Sequence, residues 1–291
     1  MSSILIQRLC IIGVGLIGGS LARALREAGV VGDVIGAGRN EQHLQQAVEL
    51  GVIDRYELQL SQAVEQADMV VIAVPMLAMQ TVFEQIKDHI PDECIITDVG
   101  SAKAQAVSAA EKVFGQIPEN FVPGHPIAGT EKSGVAASFA ELFKDRRIIL
   151  TPTEQNSKAA ISKVRQMWQA CGAEVQEMNI QHHDEVLAAT SHLPHMLAYA
   201  LVDTLARMDD SQEIFSYAAG GFRDFTRIAS SDPNMWHDIC LANSEALLKV
   251  MHQFKDDLQL LINAIEKGDS EFLKQTFTRA KQARDTYTDK T

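Results

Sequence analysis

Cysteine is scarce in this 291-residue chain, and the four present, Cys10, Cys94, Cys171 and Cys240, form no CxxC pair. That excludes a disulfide framework and a thiolate zinc knot, so the four read as small apolar residues in a reducing compartment. Long apolar runs are also missing. The strongest, at 69–74, falls far short of the roughly 20 residues that a bilayer span needs. Basic charge is in deficit, with 26 lysines and arginines against 38 acids for a net of −12, and no basic face stands out. Nucleic acid and anionic membrane are therefore not expected as partners, and any anionic ligand must be held by a few local cations. Internal repeats and low-complexity stretches are absent. The opening segment MSSILIQRLCIIGVG carries Arg8 and runs into a glycine motif, so it does not read as a secretion signal, and a cytoplasmic protein is expected.

What remains is ordinary globular composition, 46% hydrophobic and 22% charged, at a length that favours two domains. Short apolar runs at 9–12, 34–37, 69–74 and 94–99 alternate with helical patterns at 16–28 and through residue 50. This is the signature of a parallel sheet with crossover helices. Further strand candidates at 121–123 and 147–150, a helix at 158–171 and a strand at 174–178 close the unit. Beyond 179 the alternation stops, and the periodic segments to 284 are helical. The expected fold is thus α/β: a Rossmann-type doubly wound sheet over 1–179, followed by an all-α domain over 180–291. The long apolar helices predict a homodimer through that second domain.

Gly13-Val14-Gly15-Leu16-Ile17-Gly18-Gly19 sits between the first strand and the first helix. Glycines there permit a tight turn, close approach to a pyrophosphate and close helix–strand packing, while the helix N-terminus offers free N–H groups. Gly13, Gly15, Leu16, Ile17 and Gly18 are the expected cofactor cradle, joined by Val74 and Pro75 at the end of the 69–74 run. The second strand ends Ala37-Gly38-Arg39-Asn40, where NAD sites usually carry an acid for the ribose 2′-hydroxyl. Loss of the acid and the presence of Arg39 favour NADP, with NAD as the alternative.

Three clusters carry chemistry: DVGSAK from Asp98, GHPIAGTE from Gly124, and TSHLPH from Thr190, the last followed by GGFRDFTR from Gly220. His125 follows a strand end between glycine and proline, where it can take a hydroxyl proton while a hydride leaves the same carbon. His192 and His195 lie three apart near His182, His183 and Asp184, but the spacing fits no HExxH or CxxC set, and no metal is expected. Arg223 and Arg227, four apart, are surface ion-pair residues or a carboxylate clamp.

In this order and spacing, the glycine motif, DVGSAK, GHPIAGTEKSG, SHLPH, GFRDFTRIA and SDPNMW resemble the prephenate/arogenate dehydrogenase family of tyrosine biosynthesis over essentially the whole chain. The resemblance implies a Rossmann domain joined to a helical dimerisation domain, and oxidative decarboxylation of prephenate, arogenate or both. It implies that His125 bonds the ring 4-hydroxyl and that Ser101 contacts both that hydroxyl and the nicotinamide region. Arg227 would hold a substrate carboxylate, with His192, His195, Thr130 and Glu131 on the substrate side and Glu131 pairing with the arginine to gate the cleft. Trp236 would pack near the same pocket, or serve as plain core. Asp145 could lie where some members place an acid associated with arogenate, or pair with Arg146 or Arg147. Two other readings stand beside this one: a β-hydroxyacid dehydrogenase, for which no glycine–lysine segment is found, and a non-catalytic NADP sensor.

Overall fold

The computed structural model describes residues 4–287. Six strands, β1 (Ile6–Ile12), β2 (Val31–Ala37), β3 (Arg55–Glu57), β4 (Met69–Ile72), β5 (Ile95–Asp98) and β6 (Phe121–Val122), form a parallel sheet in the order β3-β2-β1-β4-β5-β6. They are linked by α1 (Leu16–Glu27), α2 (Glu41–Glu49), α3 (Leu60–Val64), α4 (Met79–Ile86) and α5 (Lys103–Phe114). After Pro123 the chain leaves this sheet. β7 (Gly124–Pro126) pairs antiparallel with β8 (Arg147–Leu150), and after α6 (Lys158–Ala170), β9 (Glu174–Glu177) pairs parallel with β8.

Alternation along β1 divides the core. Leu9 and Ile11 pack with Leu21 and Leu25 of α1 and Trp168 of α6, while Cys10 and Ile12 pack with Phe83 of α4 and Ala106 of α5. With helices on both faces, β4 is buried at every residue, which is why its sequence is an unbroken apolar run. The reversal of strand order falls between β1 and β4, the crevice where ligands bind in open α/β sheets.

The sequence runs at 147–150 and 174–178 are strands, as expected, but they belong to the second sheet. β3, α3 and β7 escape the sequence pattern because each has five residues or fewer, too short to display a period.

From Ile180 every described element is helical: α7 (Ile180–Leu187), a π turn (Ala188–His192), α8 (Leu193–Ala206), α9 (Ser211–Ser216), α10 (Gly220–Thr226), a 3₁₀ turn (Arg227–Ser230), α11 (Pro233–Ala242), α12 (Ser244–Lys267) and α13 (Ser270–Tyr287). Caps explain several starts. Asn179 accepts from the N–H groups of Gln181 and His182, and Asp232 accepts from Asn234 and Met235 with Pro233 in the first turn. By contact, the chain divides into two compact units after Ser244. The first unit includes α7 to α11, because Trp236 and Ile239 of α11 enter the same apolar cluster as Phe83 and Phe121. In the second, Gly268 in the left-handed region (φ 65°) turns α12 into α13. Met251, Phe254, Leu258, Ile262 and Ile265 recur there at spacings of three and four, all exposed. No described helix is long and apolar enough to cross a membrane.

Candidate active site

The glycine loop closes the switch point. Gly13 adopts φ 96°, its N–H donates to the Ala37 carbonyl (2.8 Å), and a Cβ there would sit 2.4 Å from the Ala73 carbonyl and 3.2 Å from Val74. A Cβ on Gly18 would lie 2.4 Å from the Gly13 carbonyl. These two glycines are required by the protein's own packing. Gly15 differs, since a Cβ there meets nothing within 4 Å and no side chain caps α1. Open space in front of uncapped first-turn N–H groups, those of Leu16 and Ile17 among them, fits a dinucleotide pyrophosphate. Gly15→Val is therefore expected to leave the denaturation midpoint unchanged and weaken nucleotide binding by about tenfold or more. Gly18→Ala should instead cost about 1–3 kcal/mol of stability by overpacking. Denaturant titration and fluorescence binding on both variants separate the two glycine roles. Pro75, exposed, opens the 3₁₀ turn Met76–Ala78 beside this loop. Arg39 is exposed between β2 and α2, and no acid stands at the β2 terminus.

His125 is 8% exposed and lies inside β7, opposite Ile149, and not in the loop that the sequence suggests. A three-residue strand ending in proline gives no alternation to read. One carboxylate fastens this strand to the DVGSAK turn. Asp98 Oδ1 accepts from the Gly124 N–H (3.2 Å) and Oδ2 from the Gly100 N–H (2.8 Å), which brings the turn bearing half-buried Ser101 to the His125 strand. Lys103, fully buried, forms an ion pair with Asp98 and donates to the Gly124 carbonyl (2.6 Å). Its ammonium is thus committed to structure, and it does not replace the catalytic lysine that the β-hydroxyacid dehydrogenase reading requires.

Behind His125 runs a buried chain. His125 Nδ1 lies 2.9 Å from His183 Nε2, and His183 Nδ1 lies 2.7 Å from Asp184 Oδ1. Asp184 also accepts from the Lys103 N–H (2.8 Å) and the Ala104 N–H (2.9 Å), capping α5. Burial works to raise the Asp184 carboxyl, but hydrogen bonds from His183, Lys103 and Ala104 hold it below the usual carboxylate range. Burial first, then His183, Lys103 and His192, hold His125 well below the usual histidine range. His125 is therefore uncharged at neutral pH.

On the other side, Asn243 Nδ2 donates to the Asp184 carbonyl (2.9 Å) and lies 3.1 Å from His192 Nδ1. Burial pushes His192 down to about 4, opposed by Asp184 and assisted by His183 and His195. His192 and His195 do converge: His195 stacks on Trp236 (3.7 Å between ring centres), and His192 meets the same indole edge-on at 6.0 Å. Trp236 serves both as core and as a wall for these rings.

Arg227 forms an ion pair with Glu131. It stands in the 3₁₀ turn after α10, not on the helix that carries Arg223, and it pairs with neither Asp224 nor Asp232. At 65% and 36% side-chain exposure the pair is cheap to open, about 0–1 kcal/mol. Thr130 is exposed and accepts from the Lys132 N–H (3.2 Å). Asp145 is exposed at φ 56°, its N–H on the Gly172 carbonyl, and no ion pair with Arg146 or Arg147 is found among the described residues. The position reads as a tight turn into β8. No group of three or more histidine, cysteine or acidic residues among those described could hold a metal ion.

His183, Asp184, Lys103, Asp98 and Asn243 are the parts of the site that sequence reasoning left unassigned. An acid at a strand end and a paired His-Asp on an otherwise amphipathic helix were the available signals.

Residues 21–177 match the family described as prephenate dehydrogenase, nucleotide-binding domain, and 179–279 match prephenate dehydrogenase, dimerization domain. The chain is 38% identical to the cyclohexadienyl dehydrogenase of Zymomonas mobilis, over 96% of this chain and 95% of that one. Its structure resembles that of prephenate dehydrogenase from Aquifex aeolicus in complex with hydroxyphenyl propionate and NAD+, with TM-score 0.88, 37% identity, and 96% and 97% of the two chains covered. It also resembles Synechocystis arogenate dehydrogenase, with TM-score 0.80, 28% identity, and 97% and 100% covered. The glycine cradle, the buried histidine and the paired arginine thus sit in a chain whose two halves both match one enzyme family. This chain belongs to the prephenate dehydrogenase family.

Proposed function

We propose that this chain catalyses the oxidative decarboxylation of prephenate, arogenate or both, using a nicotinamide dinucleotide, with NADP favoured over NAD. The observation that carries the reading is the buried, neutral His125 on β7, fastened through Asp98 to the Ser101 turn at the C-terminal edge of the sheet that bears the glycine cradle. When bound in that cradle, the nicotinamide supplies the two-electron acceptor.

The chain's own residues perform the rest. His125 takes the proton of the ring 4-hydroxyl, so that the oxygen's electron pair forms the ring ketone as the same carbon is oxidised. Ser101 orients that hydroxyl. Arg227, exchanging Glu131 for a substrate carboxylate, fixes the ring's orientation against the base, which converts a bimolecular encounter into a positioned one. Thr130, His192 and His195 line the substrate side. The ketone is vinylogous to the carboxylate, so carbon dioxide leaves and aromaticity returns, making the net reaction irreversible.

The 1–179 and 180–291 division is proposed as the boundary between nucleotide-binding and substrate-binding parts. Homodimerisation is proposed through the latter. The exposed apolar stripe on α12 supports it, since such a row is unusual on a solvated helix.

The test is the absorbance of reduced nicotinamide, crossing prephenate and arogenate with NAD and NADP. Silence in all four combinations from folded, nucleotide-binding protein would sink the proposal. Arg39→Asp is expected to raise KM for NADP by about 10- to 100-fold while sparing NAD, since it replaces a charged contact with a like charge. Equal effects on both nucleotides would remove Arg39 from the cofactor site.

A further inference from the structure

The protons on the histidine rings of this site are dictated by the groups around them. Asp184 accepts two backbone N–H groups at the start of α5, and its remaining close contact is His183 Nδ1 at 2.7 Å. A carboxylate that accepts two N–H donors is ionised, so the His183 Nδ1 must be the donor. The helix N-terminus already compensates the carboxylate's charge, so His183 needs only that one ring proton. Its Nε2 is then a bare lone pair, 2.9 Å from His125 Nδ1, and a hydrogen bond there requires the proton to reside on His125. The remaining nitrogen of His125, Nε2, is left unprotonated.

Resting on the function proposed above, we infer that His183 and Asp184 are positioning residues that pre-set His125 in the Nδ1–H tautomer, with its Nε2 lone pair as the proton-accepting atom. Isolated imidazole favours the opposite tautomer, in which Nε2 would donate and could not accept the hydroxyl proton. When the substrate O–H breaks, its proton goes to His125 Nε2 and its electron pair stays on oxygen. The imidazolium so formed keeps its Nδ1–H bond to His183, and the positive charge faces Asp184 through that ring. No further proton needs to leave during the step.

The same logic gives His192 the opposite arrangement. Asn243 must turn its NH₂ toward the Asp184 carbonyl, since its amide oxygen would meet another oxygen there, and this NH₂ also faces His192 Nδ1. His192 Nδ1 therefore accepts, and the proton resides on Nε2, a buried donor with no partner among the described residues. The site thus holds an acceptor at His125 and a buried donor at His192. The charged and titratable groups that face His125 are His183, Lys103 and His192, with Asp98 and Asp184 behind them.

Long-range proton–nitrogen correlation spectra of histidine-labelled full-length protein at neutral pH test the inference without relying on turnover. Signals are assigned by loss in His125→Gln and His183→Gln. The expected result is a protonated Nδ1 and bare Nε2 on both His125 and His183, and the reverse on His192. Asp184→Ala removes the acceptor from His183 Nδ1, and should release both His183 and His125 to the Nε2–H form. It should lower kcat by about 10²-fold with KM for prephenate within about threefold and nucleotide binding intact. An Nε2–H His125 or a doubly protonated His183 in the wild-type protein would overturn the inference, as would an Asp184→Ala protein with unchanged tautomers or an unchanged kcat. Should the wild type turn over neither substrate, the spectra still read the tautomers, and only the proposed reaction fails.

Discussion

His125→Asn is expected to lower turnover of the cyclohexadiene by on the order of 10³-fold, with nucleotide affinity changed by less than about twofold. The asparagine keeps a polar side chain in β7 and leaves the backbone pairing to Ile149 untouched, so the fold has no reason to change. What disappears is a basic nitrogen, and neither Lys103 nor His183 is placed to supply one. Lys103 is committed to Asp98 and the Gly124 carbonyl, and His183 lies behind His125 with its Nε2 toward it. The pH profile carries the same argument. Burial, His183, Lys103 and His192 hold His125 well below the usual value of 6.5, so wild-type kcat/KM should stay level as pH falls through 6.5 and decline only at lower pH, where the ring finally protonates. Stability has the same sign. Below pH 6.5 the unfolded chain binds a proton that the folded chain refuses, so folding weakens as pH falls. Near-normal turnover in His125→Asn, or a rate that halves at 6.5, would remove His125 as the base.

Lys103→Met is the second large effect, and it falls on stability. The methionine fills the volume, but Asp98 is left fully buried without its counter-ion, at a cost of about 3–5 kcal/mol. The loss has a pH signature. An unpaired buried carboxyl has its pKa raised in the fold, so the variant should be least impaired at acid pH and progressively worse as pH rises. Lys103→Met combined with Asp98→Asn should recover part of the loss, because the amide needs no counter-ion. Denaturation midpoints of both proteins at pH 5 and pH 8 decide it. A single variant as stable as wild type, or a loss indifferent to pH, would show that the pair contributes no net stability.

The sequence and the fold agree best where chemistry is local. Gly13, Gly15 and Gly18 are legible because a turn, a close approach and a helix start all occur within six residues. The strands ending at Ile72 and Asp98 are legible because fully covered strands are short apolar runs, although the 69–74 run overshoots the first by two residues. His125 could be singled out by its neighbours, although not as a strand residue. What sequence alone does not yield is the support around it. Asp184 meets the Lys103 N–H across 81 residues and the Ala104 N–H across 80, and no periodicity encodes such a meeting. A lysine with no exposed surface contradicts the ordinary expectation for that residue type, and nothing in the DVGSAK string announces that Lys103 is buried against Asp98. Asn243 is silent for a similar reason, since its two contacts lie 59 and 51 residues back along the chain.

The carboxylate of Asp184 also bears on how such a chain can be rearranged. It grows from the first all-helical segment, yet it caps a helix of the nucleotide-binding half and anchors the hydrogen-bond chain to a histidine in that half. A graft that joined this glycine-motif half to a foreign helical partner would inherit a competent cradle, but also an uncapped helix and a histidine without its anchor. The two halves are therefore not free modules: a chimera becomes an enzyme only if the incoming segment delivers a carboxylate to that same helix end, whatever its similarity elsewhere.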